Sequence, residues 1–539
     1  MGTKTYDSAT DLLTFSRASG GTALSKISYS NDELVTNGTF DSDLSGWSAS
    51  HGASTQEFDN GTLQVKYPQY NTYSVQYLTG LVVGTSYQVN FSVTNDTQGS
   101  GGASHVGIWE TNSYGSYIER FTYTKGVVGS YTFTFTATST VSQIRLTKGS
   151  NTGVTNFDNV SVKEVLFDQA DGTLQVFNHG NNKPRIEYDA TGAVKGLLIE
   201  EARTNLMTSS GDVAGTGWTS VMTKGAVTAG SPFGTYQTIS PTNNASNLAG
   251  AMIYQLGKTL TSGATYITSS LVKYSAGSGW FIIRTYDTGT GGSRAWFDLQ
   301  NGVVGTTQSS AVLDHGMIDY GDGWWLCWAS SNATSTSGGF IVEVPTSNGG
   351  FSASTADVIL IAGSQFEQGA FLTSYIPTTN ATVTRARDIA QISTSAFGYN
   401  NDKGSLVVDV LTPVADQLMT LAYFNVSTFN NSRGLWKSNS GITAVGTDYV
   451  RVSHDGATTK FTIGQQTQAE YTKLGLSYGD NERGVRDGGT VLSGDSRYPN
   501  PTRLHLGGRD NGFQGQCWIK SIQYYPRRLT NTQLQELTT

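Results

Sequence analysis

The run Tyr87-Gln88-Val89-Asn90-Phe91-Ser92-Val93 decides the class of this protein. Large apolar side chains hold every odd position and polar ones every even position. A helix turning every 3.6 residues would scatter such a pattern around its circumference, whereas a strand sends one row into a core and the other into water. The same alternation returns in Gly61-Thr62-Leu63-Gln64-Val65-Lys66-Tyr67 and in Tyr131-Thr132-Phe133-Thr134-Phe135-Thr136. Gly, Asn and Ser turns separate these runs, the signature of sequential antiparallel strands packed as a sandwich.

Composition extends that reading to the whole chain. Charged residues are only 14% and apolar residues 37%, but 27 Tyr, 22 Phe and 10 Trp exclude a disordered chain, which lacks aromatics. Glycine reaches 64 of 539 residues, enough for many turns. The expected class is all-β. At 539 residues one core cannot serve the chain, and three or four domains are expected. The net charge is −7 with acids and bases scattered, so no basic face for nucleic acid is expected. No run approaches 18 apolar residues, and no basic amphipathic helix suggests a membrane surface, so no membrane insertion is expected. Met1-Gly2-Thr3-Lys4-Thr5-Tyr6-Asp7 lacks the apolar stretch of a signal peptide, which points to synthesis in a cytoplasm. Cys327 and Cys517 each lie among bulky neighbours and read as buried free thiols.

Punctuation divides the chain into a leader or docking strand over 1–34, a sandwich over 35–165, a connector over 166–203, a second sandwich over 204–383 and a third over 384–539. The fold expected is therefore three antiparallel β-sandwich domains joined by short connectors. Thr36-Asn37-Gly38 with Gly46-Trp47 is echoed by Thr204-Asn205-Leu206 with Gly217-Trp218, a weak internal repeat in which two sandwiches begin alike. Ser16-Arg17-Ala18 is echoed by Thr384-Arg385-Ala386, which suggests a docking strand. Near the end, Thr530 or Asn531 can cap a short helix with Leu534 and Leu537 on its apolar edge.

Three stretches carry a resemblance. Gly196-Leu197-Leu198-Ile199-Glu200-Glu201-Ala202-Arg203-Thr204-Asn205-Leu206 resembles a motif joining modules in bacteriophage and prophage structural proteins. So do Gly321-Asp322-Gly323-Trp324-Trp325-Leu326-Cys327 and the stretch from Gly363-Ser364-Gln365-Phe366-Glu367 to Ser374-Tyr375-Ile376-Pro377-Thr378. The first unit, from Asn37-Gly38-Thr39-Phe40 to Phe157-Asp158-Asn159-Val160, is similar to jelly-roll carbohydrate-binding modules. The third, with Leu504-His505-Leu506-Gly507-Gly508 and Ile519-Lys520-Ser521-Ile522, is similar to concanavalin-like, laminin-G-type jelly rolls. The resemblance implies a virion structural protein (fibre, spike or decoration protein of head or tail) assembled in the host cytoplasm. Its implied partners are other virion proteins, cell-surface glycans, and further copies of itself in a homotrimer. A capsid cement protein without sugar binding is the alternative, and a glycan depolymerase the third reading.

Sugar rings stack on flat aromatics while their hydroxyls seek polar rims. The residues nominated for carbohydrate are Tyr70, Tyr73, Tyr114 and Tyr117 in the first unit and Trp436, Tyr498, Arg509 and Asn511 in the third. Trp109 reads as core, and Trp324-Trp325-Leu326-Cys327-Trp328, apolar on both faces, as a buried strand. No cofactor is required. The carbohydrate-module resemblance implies one structural calcium ion, mapped onto Asp41 and Asp158, since calcium takes six to eight oxygens. The second unit has no matching acid pair, Thr208 and Glu367 being nearest. The six histidines are scattered, and no nucleophile elbow, Cys-x-x-Cys pair or phosphate loop occurs, so no enzyme is expected.

Overall fold

The computed structural model describes residues 13–50, 52, 55–66, 71–99, 104–110, 117–123, 126–169, 171–289, 291–308, 312–413, 419–425, 432–438, 449–454, 458–465, 470–495, 500–508 and 515–539. The fold is all-β, built of antiparallel sheets packed as sandwiches. It forms two compact units: residues 26–173, and residues 1–25 together with 174–539.

In the first unit the decisive run is strand Ser86–Asp96, which pairs with Gly129–Thr136 on one side and Thr155–Phe167 on the other. Its odd residues Tyr87, Val89, Phe91 and Val93 are buried at 2% exposure or less. They meet Val106, Ile108, Ile144 and Leu146 from an opposing sheet ordered Ser48–Ala49, Thr72–Thr79, Val141–Lys148, Ser104–Glu110, Tyr117–Tyr123. Burying an aliphatic or aromatic side chain contributes about 1.5–3 kcal/mol. The alternation is thus the main source of this sandwich's stability.

In the second unit, residues 204–383 form a sandwich of the same plan. One sheet runs Thr219–Ser220, Met252–Thr259, Ser337–Glu343, Trp280–Asp287, Ser293–Asp298, Val303–Gln308. The other centres on Thr265–Ala276 between Trp324–Asn332 and Val358–Gln368. Trp324 and Leu326 pack with Leu271 and Ala362, while Cys327, on the other face, enters the main core. Both cysteines are free and buried.

The two sandwiches repeat each other in atomic detail. Thr36 donates its amide to Gln76 Oε1 (2.7 Å) and accepts from Gln76 Nε2 (2.8 Å). Thr208 and Gln255 make the same pair of bonds, at 3.1 and 2.5 Å. The indole of Trp47 donates to the carbonyls of Thr36 and Asn37, and that of Trp218 to Ser209. Gly46 and Gly217 precede these tryptophans at φ +85° and +90°, where a side chain would be strained and would also strike the Gln76 or Thr208 side chain. Tyr87 accepts from the Val82 amide and Tyr266 from the Thr261 amide, across identical turns.

The third sandwich draws strands from well outside 384–539. One of its sheets begins with Leu13–Ser16, paired to Ile389–Ser393; the other begins with Arg185–Tyr188 and Val194–Ile199, the latter paired to Cys517–Tyr525. Parts of the segments read as leader and connector are therefore strands of this sandwich, Leu13–Ser16 and Arg185–Tyr188 at sheet edges and Val194–Ile199 one place in, while Gly21–Tyr29 pairs instead with Thr155–Phe167. Edge strands are short and half-solvated, so their own sequence does not name the partner. Helix Asn531–Thr538 is capped by Thr530 in a capping box with Gln533, and Leu534 is fully buried.

A buried ion-pair cluster that includes Glu200 ties distant segments of this second unit together. Asp388 receives Arg17 Nη1 (3.1 Å) and Arg185 Nη2 (2.6 Å), and Glu200 receives Arg185 Nη1 (2.8 Å) and Arg385 Nη2 (3.5 Å), all with side chains 2% exposed or less. Ser374 donates its amide and hydroxyl to Glu200 (2.8 and 2.7 Å), and Gln516 adds a third bond. Asn205 donates to the Ile376 carbonyl (2.9 Å) and accepts from the amides of Met207 and Phe366. Buried charges this well paired are costly to break singly.

Candidate functional site

Side-chain parity assigns the outward face of the five-stranded sheet. Since Val106, Ile108, Ile144 and Leu146 point into the core, Trp109, Gln143 and Arg145 must point away from it, as must Tyr73 and Tyr77 opposite Leu78. Strand register then aligns them. Tyr77, Gln143, Trp109 and Tyr117 form one row across four adjacent strands, and Val75, Arg145 and Gly107 form part of the next. Three strand spacings make the first row about 14 Å long, enough for a short oligosaccharide.

The rings and the cation make a continuous surface. The Arg145 guanidinium lies 4.7 Å from the Tyr73 ring centre and 4.4 Å from that of Trp109, between the two. Trp109 meets Tyr117 edge-on at 5.5 Å, and His105 stands 6.3 Å from Trp109. Arg145 Nε and Nη2 both donate to Gln143 Oε1, at 3.0 and 2.7 Å, which fixes the guanidinium plane. Tyr77 and Tyr117 are 59% and 48% exposed, while Tyr73, Trp109 and Arg145 are half-buried. The arrangement offers apolar ring faces with a polar, cationic centre.

Of the residues nominated from sequence, Tyr73 and Tyr117 fall on this face. Tyr70, Tyr114, Tyr498, Arg509 and Asn511 lie outside the described residues. Trp436 was expected at a loop or strand end but stands inside strand Ser432–Ser438, 6% exposed and edge-on to Tyr423 at 5.1 Å. Trp109, read as core, is instead half-buried on the outward face. Arg145 and Gln143 were not nominated, although the alternation around Ile144 and Leu146 already turned both outward.

The calcium expectation meets carboxylates already engaged nearby. Asp41 accepts from the Thr39 hydroxyl at 2.9 Å, and Asp158 accepts from the amide and side chain of Asn159 at 2.7 and 3.0 Å. Asp43, not singled out from sequence, organises the turn instead, accepting from Asn37 and from the Ser45 amide. Thr208 donates to the Thr216 carbonyl, and fully buried Glu367 is held by the Thr373 hydroxyl. Among the described residues no group of three or more His, Cys, Asp or Glu gathers as a metal cage. Among them also, no helix is long and apolar enough to cross a membrane.

The second unit has an open groove of about 630 Å³ lined by Arg203, Thr204, Leu206, Tyr266, Gln368 and Thr384, among others. Its cation is already spent: Arg203 pairs with Glu201 at 2.5 Å, reaches the Gln368 carbonyl and lies 4.6 Å over the Phe371 ring.

No family model matches the chain, and no curated protein matches it. Among solved structures, a tandem pair of family 22 carbohydrate-binding modules from a Paenibacillus barcinonensis enzyme is 11% identical, with a TM-score of 0.21 over 64% of this chain and 99% of that one. A Trypanosoma rangeli sialidase with the inhibitor DANA is 10% identical, with a TM-score of 0.23 over 89% of this chain and 83% of that one. At such TM-scores neither likeness carries an argument about function.

Proposed function

We propose that this chain is a non-catalytic virion structural protein, of fibre, spike or decoration type, that presents β-sandwich modules to glycans. The glycan surface is the outward face bearing Tyr73, Tyr77, Gln143, Arg145, Trp109 and Tyr117. The observation that carries the glycan part is the row of rings turned outward from a sheet whose other side is a complete core. Aromatic residues are costly to leave half-wet, and a rigid sheet holds these in line at sugar-ring spacing. The virion part rests on the module-joining motifs, and partners there are other virion proteins and further copies of the chain. Repetition across a particle turns weak sugar contacts into firm attachment.

A glycan array probed with the full chain, and then with Trp109→Ala, tests the reading. Binding by the parent chain with a roughly 30-fold loss in the variant is expected, since truncating a central aromatic anchor costs about 2 kcal/mol. A parent chain that binds no glycan, or a variant that binds as well, overturns it. In the first case the cementing role becomes the leading reading.

A further inference from the structure

The most deeply buried arginines of this protein are given an internal carboxylate, while half-buried Arg483 and Arg503 bond the amide oxygens of Asn531 and Gln391. Arg17 and Arg185 have Asp388, Arg385 has Glu200, Arg203 has Glu201 and Arg433 has Glu482, and the partly buried Arg284 and Arg294 share Glu343. Arg145 stands with Arg483 and Arg503. It is half-buried between two rings, its hydrogen-bond partner is the neutral amide oxygen of Gln143, and no carboxylate among the described residues lies within ion-pair distance. Nε and Nη2 face Gln143, and Nη1 has no hydrogen-bond partner among the described residues.

The surroundings hold the guanidinium ready for an anion. Its cross-strand partners are Val75 on one side and Gly107 on the other, the latter contributing no side chain to compete for the space, and the two flanking rings restrict its rotamers. A planar guanidinium presents parallel N–H groups that match both oxygens of a carboxylate, and here little ordering entropy is left to lose. A neutral sugar would use the rings but leave this charge uncompensated. We infer that the face selects glycans carrying a carboxylate, with the acid group on Arg145 and the neighbouring sugar rings against Trp109, Tyr77 and Tyr117. The inference rests on the glycan reading of the same face and adds the ligand class.

Two matched pairs of probes test it on the full chain: oligogalacturonate against its carboxyl-reduced counterpart, and sialyllactose against lactose. The pair that responds identifies whether the acid comes from a uronate or a sialate. In titration calorimetry the acidic member of one pair is expected to bind roughly tenfold tighter than its neutral partner, a charge-assisted contact partly screened by solvent. That ratio should shrink as salt rises. Arg145→Gln should bring it close to one, and Arg145→Lys, which keeps the charge without the planar fork, should restore part of it. Thermal melts of both variants check that the sandwich is folded. Equal binding of acidic and neutral members, with Trp109→Ala weakening both, overturns the inference and leaves the glycan reading standing. A preference that survives Arg145→Gln also overturns it. No binding by any of the four probes overturns the inference, and the array then decides the glycan reading separately.

Discussion

Arg145 in the first sandwich and Arg294 in the second both rise from the outward face of a sheet, and both lie against an aromatic ring. Around them the sandwiches share a frame: Thr36, Gln76 and Trp47 in one, Thr208, Gln255 and Trp218 in the other. The dressing differs. Arg294 Nε meets Glu343 Oε2 at 2.6 Å, Arg284 reaches the same carboxylate at 3.5 Å, and Phe351 closes over Arg294. Glu343 is fully buried by this arrangement. The apolar remainder of that face, Ile282 and Trp296, is covered by Leu248 and Ala353 from neighbouring loops. One face has been closed by its own loops and neutralised from within, while the other keeps a cation and a row of rings in contact with solvent. A repeated frame thus serves stability in one copy and, on the proposed function, recognition in the other.

The largest effect expected from this contrast is on stability. Glu343→Gln leaves two guanidinium groups beside each other with no acid between them, and should cost about 4 kcal/mol in denaturant unfolding. Arg145→Gln, in the open face, should cost about 1 kcal/mol or less, the scale of a half-exposed cation–ring contact. Similar losses in both would erase the distinction between a structural and a recognition face.

Acid separates the two compact units in the same spirit. Burial, reinforced by the charges of Arg185 and Arg17, holds His179 down to about 3. Burial alone would raise Glu200, but Arg385, Arg185 and the Ser374 bonds outweigh it and hold the carboxyl down to about 2. A group whose folded pKa is depressed gives stability that is complete above its unfolded value and is lost as pH falls towards the folded one. For His179 the loss begins near 6.5, and for Glu200 it adds below 4.5. By pH 4 the unit containing residues 174–539 should have lost about 3 kcal/mol, chiefly through His179. Hydrogen exchange localised to peptides should show protection falling there, while residues 86–96 and 155–167 of the other unit hold theirs. Equal loss in both units would show that the buried cluster does not govern acid stability.

How much of this could be read from the sequence follows from how far apart the partners are. Alternation is local, so the sandwich class and the burial of Tyr87 to Val93 were legible in seven residues. Parity is equally local, and it already turned Trp109 and Arg145 outward from Ile108 and Ile144. The strand Leu13–Ser16 was not legible as part of the third sandwich, because its partner lies more than 370 residues along the chain. For the same reason Glu200 and Arg203 stood out only as a motif. Glu200 depends on Arg385, Ser374 and Gln516, and Arg203 on the Gln368 carbonyl and the Phe371 ring, which no spacing rule connects to them. The Gly-Trp echo was visible, but the glutamines that complete it were not, since Gln76 and Gln255 sit at different distances from their tryptophans.

Those glutamines give the smallest and most symmetrical test. Each is buried, at 6% exposure for Gln76 and 1% for Gln255, and each binds both the amide and the carbonyl of a threonine where the chain enters the sandwich. Replacing either with leucine keeps the volume but strands the threonine amide and removes one bond from its carbonyl, which at Thr36 keeps the Trp47 indole. Each loss should cost about 2 kcal/mol, allowing for the water that can reach the entry turn. If the repeat is a shared frame, Gln76→Leu and Gln255→Leu should cost the same within about 1 kcal/mol in denaturant unfolding, although Gln255 also accepts from Lys258. A large cost at Gln255 and none at Gln76 would mean that only the closed sandwich needs the clamp, and the open face would then owe its geometry to the sheet alone.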